Sequence, residues 1–325
     1  MTTTLRFGKK PADPARQPKL KFAKYAIPAI LPVPPAEFGY EEYLPADSGV
    51  LGNDAYGDCV LAGADHETML WAGIGGAKPA FSAATALADY AALTGFNPND
   101  PSTDQGTDMQ AAAAYRRKTG VIDRAGKRHQ IGGYVGLERG NLDEHKVATF
   151  LFAAVGIGLI VSDTQIGQFE RGEPWDGALG SNPGPHYVSM ISFRGGYLLV
   201  VTWGGIQKVS PEFFFSNNDE SLAYLSTEAM KDGKSIQGFD LVQLTADLAA
   251  VNSQPKGPLA MSTTSPPLVA AELAAAQAAF SAYVTANVLG WEARLLPADK
   301  IQGAIIAVVE AIDGVRNAQP AGAAT

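Results

Sequence analysis

The chain has 325 residues, 46% of them hydrophobic and 18% charged, a balance that points to no fibrous, disordered or bilayer-embedded class and leaves room for a full core. A formal charge of −8 argues against general affinity of the body for nucleic acid, whose phosphates need clustered Lys and Arg. Cys59 is the only cysteine, which excludes an intrachain disulfide and a cysteine-cluster metal site, and no motif asks for a cofactor.

Residues 1–45 form a basic, Pro-rich arm. Seven of the 25 basic residues (Arg6, Lys9, Lys10, Arg16, Lys19, Lys21 and Lys24) fall in the first 24 positions, against the single acid Asp13, and a run of Pro and Ala follows that favours extended chain over helix. Such an arm either lies on the acidic surface of its own body or grips an anionic partner, the one route by which nucleic acid would bind. It lacks the apolar stretch of a secretory signal. With no disulfide to form, the expected location is a reducing one, cytoplasmic or virion-associated. The longest apolar run, residues 147–161, is too short to span a bilayer, so no membrane association is expected.

Apolar spacing predicts a helix over residues 58–71 with Asp58 as its N-cap and Cys59 as its opening residue, then helices over 83–93 and 109–119, the latter between Asp108 and Gly120. A further helix over 141–155, capped by Asn141, leads into a strand over 157–161. Two β-rich runs, 187–193 and 197–203, are joined by hairpin chemistry at Arg194, Gly195 and Gly196. Helices first and strands second imply an α+β domain over residues 46–250, made of a helical half and an antiparallel β half with a cleft between them. Residues 251–268 have linker composition, and two apolar stripes over 269–325 predict a C-terminal helical hairpin suited to self-association or partner docking.

A thiol at the first turn of a helix sees the positive end of the helix dipole, which favours the thiolate. Cys59 then needs a base. His66, seven residues on along the same helix, is about 10 Å away along the axis, which makes it a surface or packing residue; His129 and His145 sit in polar segments that read as solvated. His186 instead follows a Pro-Gly loop and opens a strand, a rigid place from which to present an imidazole across a cleft.

At these residues the chain resembles the papain-like cysteine peptidases. Residues 51–59 before a helix resemble the segment in which an amide donor stands six residues ahead of the nucleophile, here Asn53, and a glycine two ahead, here Gly57. Residues 104–121 resemble the glycine-containing loop and helix that shape the cleft. Residues 186–193 and 197–205 resemble the His-initiated strand and the closing strand with its Trp-Gly pair. The resemblance spans residues 45–225 and implies a divergent, bacterial or phage-type member with the papain-like two-part fold. It implies a peptidase or amidase acting on a peptide or protein substrate through Cys59, His186 and an oxyanion donor at Asn53. One position departs from the pattern: Thr202 stands ahead of Trp203 where the family orients its imidazole with Asn. A wall-peptide amidase is a second enzymatic reading. The non-enzymatic alternative is a catalytically degenerate copy of the fold used as a structural or docking protein, such as a component of a phage particle, to which the arm and the hairpin would be attachments.

Overall fold

A computed structural model describes residues 5–13, 21–22 and 33–229. The chain divides into two compact units, Met1–Gln254 and Pro255–Thr325, and every described residue lies in the first. The predicted linker and helical hairpin, like residues 1–4, 14–20 and 23–32 of the Pro-rich arm, fall outside the described residues.

Three helices occupy the first half of the described unit: α1 (Cys59–Ile74), α2 (Ala83–Thr94) and α3 (Met109–Lys118). Their starts follow from local chemistry. Ser82 and Thr85 form a reciprocal capping box on α2, which Gly95 ends in the left-handed region, and the Asp108 carboxylate accepts the Ala111 N–H at 2.8 Å on α3. α4 (Leu142–Phe152) is capped by Asn141, whose side chain accepts the Glu144 N–H, but it stops short of the predicted residue 155. Ala153 adopts φ 64° and turns the chain into β5 (Val155–Val161). The unbroken apolar run hid that boundary, because continuous hydrophobicity carries no period.

The strands β1 (Phe38–Gly39), β4 (Gly133–Gly136), β5, β6 (Gly184–Arg194), β7 (Tyr197–Thr202), β8 (Gly205–Val209) and β9 (Asn218–Leu225) form one antiparallel sheet. Its order is β4-β9-β5-β6-β7-β8, with β1 also on β6. β2 (Val121–Ile122) and β3 (Arg128–His129) pair separately. Gly195 and Gly196, at φ 56° and 80°, make the two-residue turn between β6 and β7. Two short helices, α5 (Asp163–Glu170) and α6 (Pro211–Asn217), complete the described unit. Strand β9, in the interior of the sheet, had no forecast: it opens on four polar residues (Asn218, Asp219, Glu220, Ser221), and the four that follow (Leu222, Ala223, Tyr224, Leu225) are all apolar and carry no period-two alternation.

The sheet separates two cores. Tyr187, Ile191, Val201, Leu222 and Tyr224 face the cluster built on α1 (Leu61, Leu70, Trp71), whereas Val188, Met190, Val200, Ala223 and Leu225 face the other. On β5 Val155, Ile157, Leu159 and Val161 share the second face, and Gly156 and Gly158 occupy the first. A Cβ at Gly156 would lie 2.1 Å from the Tyr187 hydroxyl, and one at Gly63 of α1 2.4 Å from the Tyr187 ring, so these two glycines make the slot that holds Tyr187.

At the bottom of that slot is a buried polar cluster. The Glu67 carboxylate pairs with Arg116 at 2.7 Å and accepts hydrogen bonds from the Tyr187 hydroxyl at 2.5 Å and the Ser189 hydroxyl at 2.8 Å. The Arg116 guanidinium lies over the Trp71 and Tyr224 rings. Removing one member of such a pair strands a buried charge, so Glu67→Ala is expected to destabilise the domain by about 3–5 kcal/mol. Urea unfolding followed by circular dichroism checks this; a loss below about 1 kcal/mol would show that Arg116 finds another partner.

Candidate active site

The loop ahead of α1 is bent by Leu51 at φ 58° and Gly52 at φ 100°. Leu51 tolerates the left-handed region at a cost of about 1–2 kcal/mol, fixed in place by the packing of its buried side chain. Asp104 ties this loop to its neighbour: its two oxygens accept the Gly57 N–H at 3.1 and 3.0 Å, and Oδ1 also accepts the Tyr90 hydroxyl at 2.6 Å. Tyr90 in turn accepts the Gly106 N–H at 2.9 Å. Cys59 follows as the first residue of α1, buried. Asp58 occupies the N-cap position, yet its side chain makes no cap bond, and burial pushes its carboxyl well above the usual range.

His186 lies on β6 inside an aromatic box. Trp203 stacks on the imidazole at 4.5 Å between centroids and 22° between planes, with Phe7 at 5.8 Å and Trp175 at 6.5 Å. Trp203 reaches that position from a two-residue turn between β7 and β8, where it takes φ 46° and Gly204 φ 76°. The Thr202 hydroxyl is 2.7 Å from Nε2, and Nδ1 has no hydrogen-bond partner among the described residues. The Asn182 amide, in the loop ahead of β6, donates to the Asp163 carboxylate at 2.7 Å.

The structure thus brings His186 and Thr202 together and sets Cys59 against Tyr187, the residue next to His186, whose backbone hydrogen-bonds toward the sulfur. Asn53 is partly engaged elsewhere. Its amide donates to the Tyr56 carbonyl at 3.0 Å, so only its second amide hydrogen is left for another acceptor. The electrostatics differ from those expected of a helix-start cysteine. Burial pushes the Cys59 thiol up to about 12, helped by the neighbouring Asp58, and outweighs the lowering from the Tyr187 and Gly8 backbones and Lys9. Burial likewise drops His186 to about 3. Both groups are neutral in this state.

The N-terminal segment adds to that burial. Residues 5–13 run as extended chain over the site: the Arg6 N–H donates to the Asn53 carbonyl at 3.0 Å, the Thr107 N–H to the Gly8 carbonyl at 2.7 Å, and the Lys10 N–H to the Thr107 carbonyl at 2.8 Å. Trp203 Nε1–H donates to the Arg6 carbonyl at 3.3 Å. Gly8 is the tight point. A Cβ there would lie 2.0 Å from the Gly57 carbonyl oxygen, and a Cβ on Gly106 2.2 Å from the Gly8 carbonyl oxygen. Next to it the Lys9 ammonium, fully buried, sits 2.7 Å from Asp219 and 3.0 Å from Glu220 on β9.

Of the remaining histidines, His129 and His145 are not solvated as their sequence settings suggest, and His66 is a packing residue. His66 is buried and hydrogen-bonded through Nε2 to the Gly49 carbonyl at 2.8 Å. His145 is buried against Phe214 and held by the Asn141 carbonyl at 2.7 Å. His129 bridges Glu228 at 2.5 Å and Asp123 at 3.1 Å, and the two carboxylates raise its pKa against the opposing effect of burial. Trp175, Gly8, Lys9, Asp219 and Glu220 escaped the sequence reading as parts of the site, and Asp104 entered it only as the start of the loop that shapes the cleft. Of these only the isolated Gly8, between bulky and basic residues, carried a local signal.

No family model matches the chain, and no curated protein matches it in sequence. Solved structures do match it. Xylellain, a cysteine protease from Xylella fastidiosa, superposes with a TM-score of 0.50 at 14% identity, covering 69% of this chain and 97% of that one. Procathepsin L 3 from Tenebrio molitor matches with a TM-score of 0.46 at 12% identity (64% and 75% covered), and procathepsin B from Trypanosoma congolense with 0.46 at 13% identity (69% and 87%). The chain has a papain-like fold. No helix among the described residues is long and apolar enough to cross a membrane.

In this papain-like domain the buried neutral histidines set an acid limit. His145 and His186 have pKa values lowered to about 4 and about 3, so the stability each contributes is full above the ordinary His value near 6.5 and is lost as pH falls toward those values. His129, raised by its carboxylates, acts in the opposite sense: its contribution is full below that value and is lost as pH rises through the raised one. Replacing His145 by Gln should make the dependence of unfolding free energy on pH between 6 and 5 shallower by about one proton, or about 1.4 kcal/mol per pH unit. Urea titrations at the two pH values measure it, and an unchanged slope would mean that His145 titrates normally.

Proposed function

We propose that the chain is a cysteine hydrolase acting on a peptide or related amide bond, with Cys59 as nucleophile, His186 as base and Thr202 as the group that orients the imidazole. The observation that carries this reading is the peptide backbone held over Cys59 by hydrogen bonds from both sides of the groove, through Asn53 and Trp203 and through Thr107. A groove built to take extended polypeptide beside a thiol and an imidazole suits acyl transfer.

With the groove open to a substrate, His186 Nδ1 takes the thiol proton while Nε2–H donates to Thr202. The thiolate attacks the carbonyl carbon, and the resulting oxyanion is met by the Cys59 backbone N–H and the second amide hydrogen of Asn53. The imidazolium then protonates the leaving amine as the C–N bond breaks, giving a thioester. Water, deprotonated by His186, attacks that thioester, and the sulfur leaves as thiolate and is reprotonated.

A second reading, a docking protein with a spent site, is favoured by the neutral thiol and neutral imidazole of the covered state. The full-length Lys9→Glu variant separates the two, because a carboxylate set against Asp219 and Glu220 expels the covering segment. A thiol-directed electrophile should label Cys59 in this variant about tenfold faster or more than in the parent chain. The variant should also cleave a mixed library of fluorogenic peptide amides, an activity abolished by Cys59→Ala or His186→Ala. Rapid labelling without cleavage of any library member would favour the docking reading.

A further inference from the structure

Lys9 is held in a way that a surface strap does not require. Its side chain is 0% exposed, its ammonium meets Asp219 at 2.7 Å, Glu220 at 3.0 Å and the Lys10 carbonyl at 2.9 Å, and its methylenes run across β5 at Gly158. A Cβ at Gly158 would lie 2.3 Å from Lys9 Cε, so the absence of a side chain on the sheet makes the channel for the lysine stem. Glu220 is paired across the sheet with Gly158, which places a carboxylate at the end of that channel. Burial raises the Glu220 pKa and Lys9 lowers it, so without a cation the pocket holds a desolvated acid beside Asp219.

We propose that Asp219, Glu220 and Gly158 form a subsite for a cationic side chain, so that the groove takes basic peptides in which a lysine or arginine adjoins a glycine lying over Cys59. The glycine requirement follows from Gly57, whose backbone leaves no space for a Cβ on the residue lying against it, the carbonyl oxygen being 2.0 Å from where a Cβ on Gly8 would sit. Lys9 is then the resident occupant, and a ligand displaces it by presenting the same charge. This rests on the groove being the peptide-binding site of the proposed hydrolase, but it concerns binding and is read independently of cleavage.

The test uses the full-length Lys9→Glu chain and a capped synthetic peptide with the sequence of residues 6–11, together with versions carrying Arg, Ala or Glu at the position of Lys9. Protection of Cys59 from iodoacetamide should need about tenfold less of the Lys or Arg peptide than of the Ala peptide, and the Glu peptide should not protect. Equal protection by the Ala and Lys peptides overturns the subsite, even if the variant hydrolyses peptides. Lysine-selective protection without hydrolysis sustains it while removing the catalytic reading. A charge swap guards against a misfolded variant: K9E/E220K should return Cys59 to slow labelling, and labelling as fast as in K9E alone would overturn the proposal.

Discussion

Everything at the site depends on one buried carboxylate. Glu67 lies two turns beyond Cys59 on α1 and binds the side chain of Tyr187, the residue next to His186, while Arg116 of α3 neutralises it from the opposite side. A hydrophobic contact would let α1 slide along the sheet. A charged, directional cluster in a dry interior does not, since any shift leaves one of its members unsatisfied. The two glycines around the Tyr187 ring act with it, removing the side chains that would otherwise push helix and sheet apart. Thiol and imidazole thus stand on elements locked together a few residues away from each of them.

Around this fixed frame the local electrostatics are adverse to ionisation. Asp58 adjoins the thiol, Asp104 and Asp54 lie near Asp58, and Phe7, Trp175 and Trp203 exclude water from the imidazole. The helix dipole that favours a thiolate is a fixed and modest effect, while desolvation of a fully covered sulfur is large. Residues 5–13 add to that desolvation, while the Gly8 backbone and Lys9 act on the thiol in the opposite sense.

The helical half was readable in the sequence because its signals are local: Ser82 and Thr85, Asp108, Asn141 and the apolar spacing after Cys59 act within a turn or two. The β6–β7 hairpin was readable for the same reason, through Gly195 and Gly196. Strand β9 was not, since its place beside β5 is set by residues some sixty positions away. The candidate dyad and Thr202 came from position and resemblance, and the contact between Thr202 and His186 needed the turn that Trp203 makes in an unfavourable backbone region. The solvated histidines were misjudged because polar neighbours in sequence say nothing about what packs over them. The burial of His145 comes from Phe214, on a different element. Likewise no sequence pattern links Lys9 to Asp219, 210 positions away.

Beyond the covering segment, Phe22 is buried in the sheet-side core and packs edge-on against Phe152, while Lys21 pairs with Gly136. The occupant of the groove is thus moored to the body within a few residues of where it leaves the site. A tether that short keeps its local concentration in the millimolar range or above, whatever the dilution of the protein. A free ligand competes against that constant rather than against solvent, so its apparent affinity is discounted by the same factor at every protein concentration. Cutting the chain between Asp13 and Lys21 would leave the contacts of residues 5–13 and of Phe22 as described, yet it would convert a unimolecular equilibrium into one that dilution can empty.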